Sequence, residues 1–362
     1  MSFNILADGL AQNGDFVNAP PEVLAWEYRL PRIIEEVAEG RCDLVCLQEA
    51  NHYDEIAAAL GQQGLVGTFL PKRPSPTERF GAPPDGCALF YRASRLSPAS
   101  PDGAPRGTPY AQPGGGGPMT QGFVAATLRD RESGRLVVVA ATHLKAKDGG
   151  PNDETRRAQA QQLLDHVAQA RDAAATGGGG GGGPAVLVMG DFNATRGSPA
   201  CQVMERHPTL QLQSVWDVPW AADLGKLGSS GGSSGQHGNG TVVCTGPGSG
   251  ADGCIRDGQQ QHHHHNCQQQ PQEQPQQQQQ QEHEHEQQRE EAVEEQEFST
   301  WKFRPNGEAR RIIDHLYFSP QQLAPMARWR MLRAAEIGAG GLPCAAYPSD
   351  HMALMTQLEW LT

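Results

Sequence analysis

Short apolar runs that end on a polar side chain recur along this chain, and they constrain its fold more than any other feature. The clearest is VLVMGDFNAT, residues 186–195, where an apolar run meets Asp191, Phe192 and Asn193. DLVCLQ is followed by Glu49, and VVVAAT by His143. Asp314 lies inside RIIDHLYF, Asp350 and His351 precede the last apolar run, and Asn4 sits in SFNIL. Several of these runs are apolar at consecutive positions, which fits strands covered on both faces. Strand alternation predicts Asp191 and Asn193 on one face and Phe192 toward the core.

Helical stretches lie between the runs. PRIIEEVAE, 31–39, opens with a helix-compatible proline and stops at Gly40. Residues 51–60 predict a short helix before Gly61. In 153–171, Ala160, Leu163, Leu164, Val167 and Ala168 repeat at helical spacing, with Asp153 and Glu154 suited to the first turn. GLVGTFL and GCALFY read as strands, GFVAATLRD and RLVVVAATH as a hairpin, and HMALMTQLEW as a closing strand. Residues 98–118, rich in Pro and Gly, and the seven-glycine run 177–183 read as loops.

Composition matters mainly for one segment. Residues 223–297 run through Gly/Ser, a histidine cluster at 262–265, and Gln with Glu and His. They hold too few apolar side chains to offset chain entropy and read as a disordered insertion within one domain spanning 1–362. The segment carries twelve acidic and three basic residues, a net of −9, and the remainder carries 29 and 26, a net of −3. No broad basic footprint for a long polynucleotide is visible. No apolar run is long enough to span a bilayer, and no secretory leader is visible. Cys42, Cys46 and Cys87 sit in apolar segments and read as reduced core residues. The expected location is intracellular and cytoplasmic. The first strand, only three residues from Met1 to Asn4, reads as clipped; a leader ahead of it would make mitochondrial or plastid targeting the alternative.

Taken singly, each polar strand end is weak, because an acid after a strand is most often a solvated turn residue. The set is stronger: several carboxylates, two Asn and two His at strand ends of one domain. Oxygen donors suit a hard cation such as Mg²⁺ or Mn²⁺, and Glu49 is the first choice of ligand.

The stretches NIL, LQE, DGCALF, THLKAK, GDFN, IDH and PSDH resemble the endonuclease/exonuclease/phosphatase superfamily. CLQEANHYDEI, GTFLPKRPSP, STWKFRPNGEARRIIDHLYF and LPCAAYPSDH resemble its nocturnin-like branch, relatives of the carbon-catabolite-repressor-type deadenylases. The resemblance covers residue 3 to about 359 outside the loops and the insertion. It implies an α/β four-layer sandwich of two mixed β-sheets flanked by helices, with Mg²⁺-dependent attack of water on a phosphate ester at one mouth. It further implies Glu49 as metal ligand with Asp350 in support, and Asn4 nearby. Asp191 would orient or deprotonate water. Asn193 and His143 would bind phosphate oxygens, and His351, oriented by Asp314, would stabilise developing charge.

The branch also implies cations that grip an adenine dinucleotide bearing a 2′-phosphate. These are Lys72, Lys145, Lys147 and Arg304, with Lys147 standing where the pattern has Arg. Lysine keeps the charge but not the bidentate fork. Two substrates follow: the 2′-phosphate of NADP(H), or the 3′ end of poly(A) RNA. A third reading, a non-catalytic scaffold recruiting protein partners through the Gln-rich insertion, is opposed by retention of the whole polar set.

Overall fold

A computed structural model describes residues 1–112, 114–176, 183–220, 223–224 and 297–361. Two mixed sheets face each other. The smaller orders its strands Ser2–Asn4, Leu44–Ala50, Gly86–Arg92 and Leu65–Pro71. The first pair is parallel and the others antiparallel. The larger runs Gln213–Ser214, Asp314–Phe318, Ala185–Asp191, Leu136–His143, Pro118–Asp130 and Leu96–Pro98, with Arg106–Ala111 also paired to Pro118–Asp130. Among the described residues, its one parallel pair is Leu136–His143 with Ala185–Asp191.

Alternation explains why these strands are apolar on both faces. Val137, Val139, Ala141, Leu187 and Met189 join the core cluster that also holds Phe3, Val45, Leu47 and Leu89 of the smaller sheet. Val138, Ala140, Val186 and Val188 point the other way. They pack with Ala160, Leu163, Leu164 and Val167 of the helix Gly150–Thr176 and with Ala200, Cys201 and Met204 of the helix Pro199–Glu205. The helices Trp26–Gly40 and Tyr53–Gln62 add Ile33, Val37, Ile56 and Leu60 to the first cluster. Complete burial of each such aliphatic side chain stabilises the fold by roughly 1.5–3 kcal/mol. The expected four-layer α/β sandwich is therefore the observed one.

Several boundaries differ from expectation. The first long helix begins at Trp26, so Pro31 lies inside it; it stops at Gly40, as expected, and the residue that caps it, Arg41, is left-handed. The expected loop 98–118 contains the strand Arg106–Ala111, anchored by Tyr110, which is fully buried with its Oη 2.7 Å from Thr142 Oγ1. The closing strand is only Thr356–Trp360; before it, His351 and Leu354 make isolated bridges to Thr300 and Ser2. The Pro118–Asp130/Leu136–His143 hairpin forms as expected. Cys46 and Cys87 are buried free thiols, and Cys42 is half-buried. Residues 177–182 of the glycine run lie outside the described residues, as does most of the insertion, including its histidine cluster. At the ends of the insertion, Asp223–Leu224 pairs in parallel with Arg328–Trp329, and Glu297 makes an ion pair with Arg328.

Candidate active site

Sheet register carries the polar residues to one end of the sandwich. Asp191 closes its strand, with His143 beside it on the parallel neighbour and Asp314 opposite it on the antiparallel one. Asn4, at the end of the first strand, donates from Nδ2 to Asp191 Oδ2 at 2.9 Å and to Glu49 Oε1 at 3.3 Å. One amide thus joins the two sheets. Glu49 has a left-handed backbone, φ 53°, where the ladder to Gly86–Arg92 shifts register. Its Oε2 accepts from Ala7 N at 3.1 Å. Such strained positions persist only when their surroundings fix them, and they cluster at functional sites.

Asp191 and Asn193 are related differently from what simple alternation predicts. The strand stops at Asp191, and Asn193 turns left-handed, φ 49°. Its backbone N–H donates to Asp191 Oδ1 at 2.8 Å and its Nδ2 to Leu144 O at 3.2 Å. This is an Asx turn. Phe192 is fully buried in the helix-side core, as expected.

Asp191 is the hub of a buried cluster. His351 Nε2 lies 3.8 Å and His143 Nε2 3.5 Å from its Oδ2. His351 Nδ1 lies 2.8 Å from Asp314 Oδ2, which also accepts from Ser299 Oγ at 2.7 Å. Burial pushes the Asp191 carboxyl up to about 6, against the opposing pull of His351. Burial would lower the His351 imidazole, yet Asp314, Asp191 and Asp350 outweigh it and hold it at about 9. His143 goes the other way: burial, then Lys72 and His351, drive it well below its ordinary value. Lys72 Nζ is 3.4 Å from His143 Nδ1. An ammonium there can only donate, so Nδ1 accepts and Nε2 carries the proton that faces Asp191.

The expected cations divide. Lys72 reaches the cluster, but its Nζ is paired at 2.5 Å with Asp85, a fully buried acid that also accepts from Ser75 Oγ. Arg304 lies 3.8 Å from Asp350 and its guanidinium sits 3.6 Å over the Phe16 ring. Lys145 is half-buried and Lys147 exposed. Their loop is held by Arg156, whose Nη1 donates to both backbone carbonyls at 2.8 and 2.7 Å. Among the described residues neither lysine ammonium makes an ion pair.

Asp350 also differs from expectation. Its Oδ2 is 2.7 Å from Lys302 Nζ and faces Arg304 as well. Burial alone would raise its pKa, but these cations and His351 hold it far below the usual carboxylate range. The carboxylate proposed to support a metal is therefore already matched by two cations.

The sequence reading missed Lys302, Ser299, Asp85 and Arg29. Lys302 was within reach, because it shares a strand face with the selected Arg304 two residues on. Asp314, Asp191 and His351 offer atoms within 4.8 Å of one another. Their mutual spacings, however, already suit an Asp–His–Asp relay. Glu49 is the less buried carboxylate; its hydrogen bonds come from neutral donors, Asn4 Nδ2 and Ala7 N, while Lys72, Lys302 and Arg29 act on it only at longer electrostatic range. A hard divalent cation fits that oxygen donor.

The buried carboxylate Asp191, the imidazole of His351 and the acid Glu49 thus meet at one end of a two-sheet sandwich. The model of the Endonuclease/Exonuclease/phosphatase family matches residues 1–351, and the chain belongs to that family. Its members are hydrolases acting on phosphate esters and are generally dependent on divalent metals.

Within the family the chain is similar to Nocturnin of Drosophila melanogaster, 28% identical over 367 residues. That match covers 100% of this chain and 46% of the relative, so the chain spans about half of that protein's length. Similarity to the CCR4-Not complex 3′-5′-exoribonuclease subunit Ccr4 of Neurospora crassa is 35% over 100 residues, 26% of this chain and 13% of that one. The human Nocturnin catalytic domain with bound sulfate superposes with a TM-score of 0.63 at 23% identity, covering 99% of this chain and 93% of that one. No described helix is long and apolar enough to cross a membrane.

Proposed function

We propose that this protein is a Mg²⁺-dependent phosphatase that removes the 2′-phosphate of NADP(H), giving NAD(H) and inorganic phosphate. The observation that carries the reading is the convergence on one carboxylate, Asp191, of Asn4, Asn193, His143 and His351. Asp191 orients the attacking water and takes its proton. A new P–O bond forms to that water as the bond from phosphorus to the ribose 2′-oxygen breaks, and the departing oxygen keeps the bonding pair and takes a proton from solvent to become the 2′-hydroxyl. His351, held as imidazolium by Asp314, meets the charge developing on the phosphoryl oxygens, and His143 offers them its Nε2 proton.

Glu49, steadied by Asn4, would hold the cation. When bound, Mg²⁺ would neutralise phosphate charge and polarise the phosphoryl group. Mn²⁺ satisfies the same oxygen-donor argument.

The choice of a dinucleotide rests on the likeness to Nocturnin along the full chain, against Ccr4 along about a quarter of it. The cations are also local: Lys72, Lys302 and Arg304 beside the cluster, and Lys145 and Lys147 on one loop. The second reading, trimming of a poly(A) 3′ end, uses the same groups and is favoured by the Ccr4 match. Purified protein with Mg²⁺, given NADPH and a labelled oligo(A) in parallel, tests both, with Asp191→Ala as control. Phosphate release from NADPH that is lost in the variant supports the first reading. Shortening of the oligomer alone replaces it with the second.

A further inference from the structure

The chain that carries Asn4 and the chain that carries Asp350 and His351 are 345 or more residues apart in sequence, yet they must keep one register for the cluster to exist. Arg29, on the helix Trp26–Gly40, lies between them and is fully buried. Its Nη1 donates to Ile5 O at 2.9 Å and Leu6 O at 2.7 Å, and reaches Pro348 O at 3.5 Å; its Nε donates to Leu24 O at 3.1 Å. Leu6 is left-handed, φ 56°, and its N–H donates to Asn4 Oδ1 at 3.0 Å. That bond fixes the rotamer from which Asn4 reaches Glu49 and Asp191.

Ser349 makes the second tie. Its Oγ donates to Asn4 O at 2.6 Å and accepts from His351 N at 3.2 Å. The guanidinium also has acidic surroundings in Asp8, Asp350 and Glu49.

We infer that Arg29 and Ser349 form a buried brace, two positioning residues that hold the metal-side pair Asn4–Glu49 and the segment bearing Asp350 and His351 in one geometry. The inference rests on the reading of Glu49 as metal ligand. Neither residue touches substrate in this scheme. Arg29 acts through the Leu6 backbone on Asn4, and Ser349 through the Asn4 carbonyl and the His351 amide. Residues that orient metal ligands in this way characteristically change metal affinity or turnover by about 10–100-fold when replaced.

The test uses the full chain with Arg29→Gln, Arg29→Lys and Ser349→Ala. Binding of Mn²⁺ alone is followed by electron paramagnetic resonance, beside kcat and KM for the hydrolysed substrate and thermal melting. Val138→Ala, in the helix-side core, reports destabilisation without contact with the brace. Arg29→Gln and Ser349→Ala are expected to weaken Mn²⁺ binding about tenfold or more and to lower kcat more than they raise KM. Arg29→Lys, which restores a cation and donors, is expected to recover part of the Mn²⁺ affinity. If both Arg29 variants fail to fold, Ser349→Ala decides.

Folded Arg29→Gln and Ser349→Ala that bind Mn²⁺ within twofold of wild type overturn the brace. So does an equal loss in Val138→Ala. A wild type that binds Mn²⁺ but hydrolyses neither NADPH nor oligo(A) removes the proposed function and leaves the Mn²⁺ comparison to decide the brace. A wild type that binds no Mn²⁺ removes both.

Discussion

Asp191 and Asp314 face each other directly across an antiparallel pair, and both are buried, yet their surroundings give them different tasks. Like charges so placed would repel, and His351 lies between them, 2.8 Å from Asp314 Oδ2 and 3.8 Å from Asp191 Oδ2. Asp314 fixes the ring through Nδ1, which leaves Nε2 toward Asp191. Asp191 must be ionised to take a proton, and His351 must be protonated to meet phosphate charge. Activity should therefore rise as pH passes about 6 and fall as it passes about 9. Asp314→Asn removes the main partner of the imidazolium, so the alkaline limb should move toward the ordinary histidine value of about 6.5. Rate profiles from pH 5 to 10 on both proteins check this. An unmoved alkaline limb would remove His351 from that role.

The same pair sets a dependence of stability on pH. The His351 folded-state pKa is raised to about 9, so its contribution is complete below the unfolded value and is lost as pH rises through 9. Melting of metal-free wild type should show this loss between about pH 6.5 and 9, and His351→Gln should flatten that part of the curve. Equal slopes in the two proteins would show that the group is not charged in the fold.

Much of this site was legible because strand ends are local in sequence. GDFN, THLK and LQE each place a polar group where a buried ladder stops, and sheet register then brings His143, Asp191 and Asp314 side by side. What period-two reasoning lost was the turn: Asn193 leaves the strand geometry, and its place is set by hydrogen bonds to Asp191 and Leu144. Lone supporting residues carried no such signal. Arg29 sits on an amphipathic helix among ordinary charged positions, and only tertiary contact with residues 5, 6 and 348 gives it a task. Asp85 is similar, since a DG pair before a strand reads as a turn until Lys72 is found against it.

Glu49→Gln separates metal holding from protonation. The amide keeps an oxygen for Asn4 Nδ2 or Ala7 N but gives up the charge that a hard cation needs. The Mg²⁺ concentration for half-maximal activity should rise about tenfold or more, with melting of the metal-free protein little changed. A variant activated at the wild-type Mg²⁺ concentration would move the ligand elsewhere.

The lysines should separate by their partners rather than by their charge. Lys72 neutralises Asp85, which is fully buried, so Lys72→Met strands a carboxylate without its cation and should destabilise the protein by about 3 kcal/mol. Lys145 and Lys147 have no such duty: Arg156 holds their loop through backbone carbonyls, and one of the two side chains is exposed. Replacing both with Ala should leave the denaturation midpoint unchanged. KM for NADPH should rise, and the difference from wild type should shrink with added salt, because exposed charges are screened over about 8 Å at physiological ionic strength. Lys147→Arg alone should lower KM if this position contacts the 2′-phosphate, since a guanidinium can donate two parallel bonds where an ammonium acts as a point charge. Chemical denaturation of Lys72→Met and of the double variant, with KM at two salt concentrations, distinguishes a fold-holding lysine from substrate-holding ones. Equal destabilisation by both would show that the loop lysines are structural and would leave the dinucleotide reading without its grip.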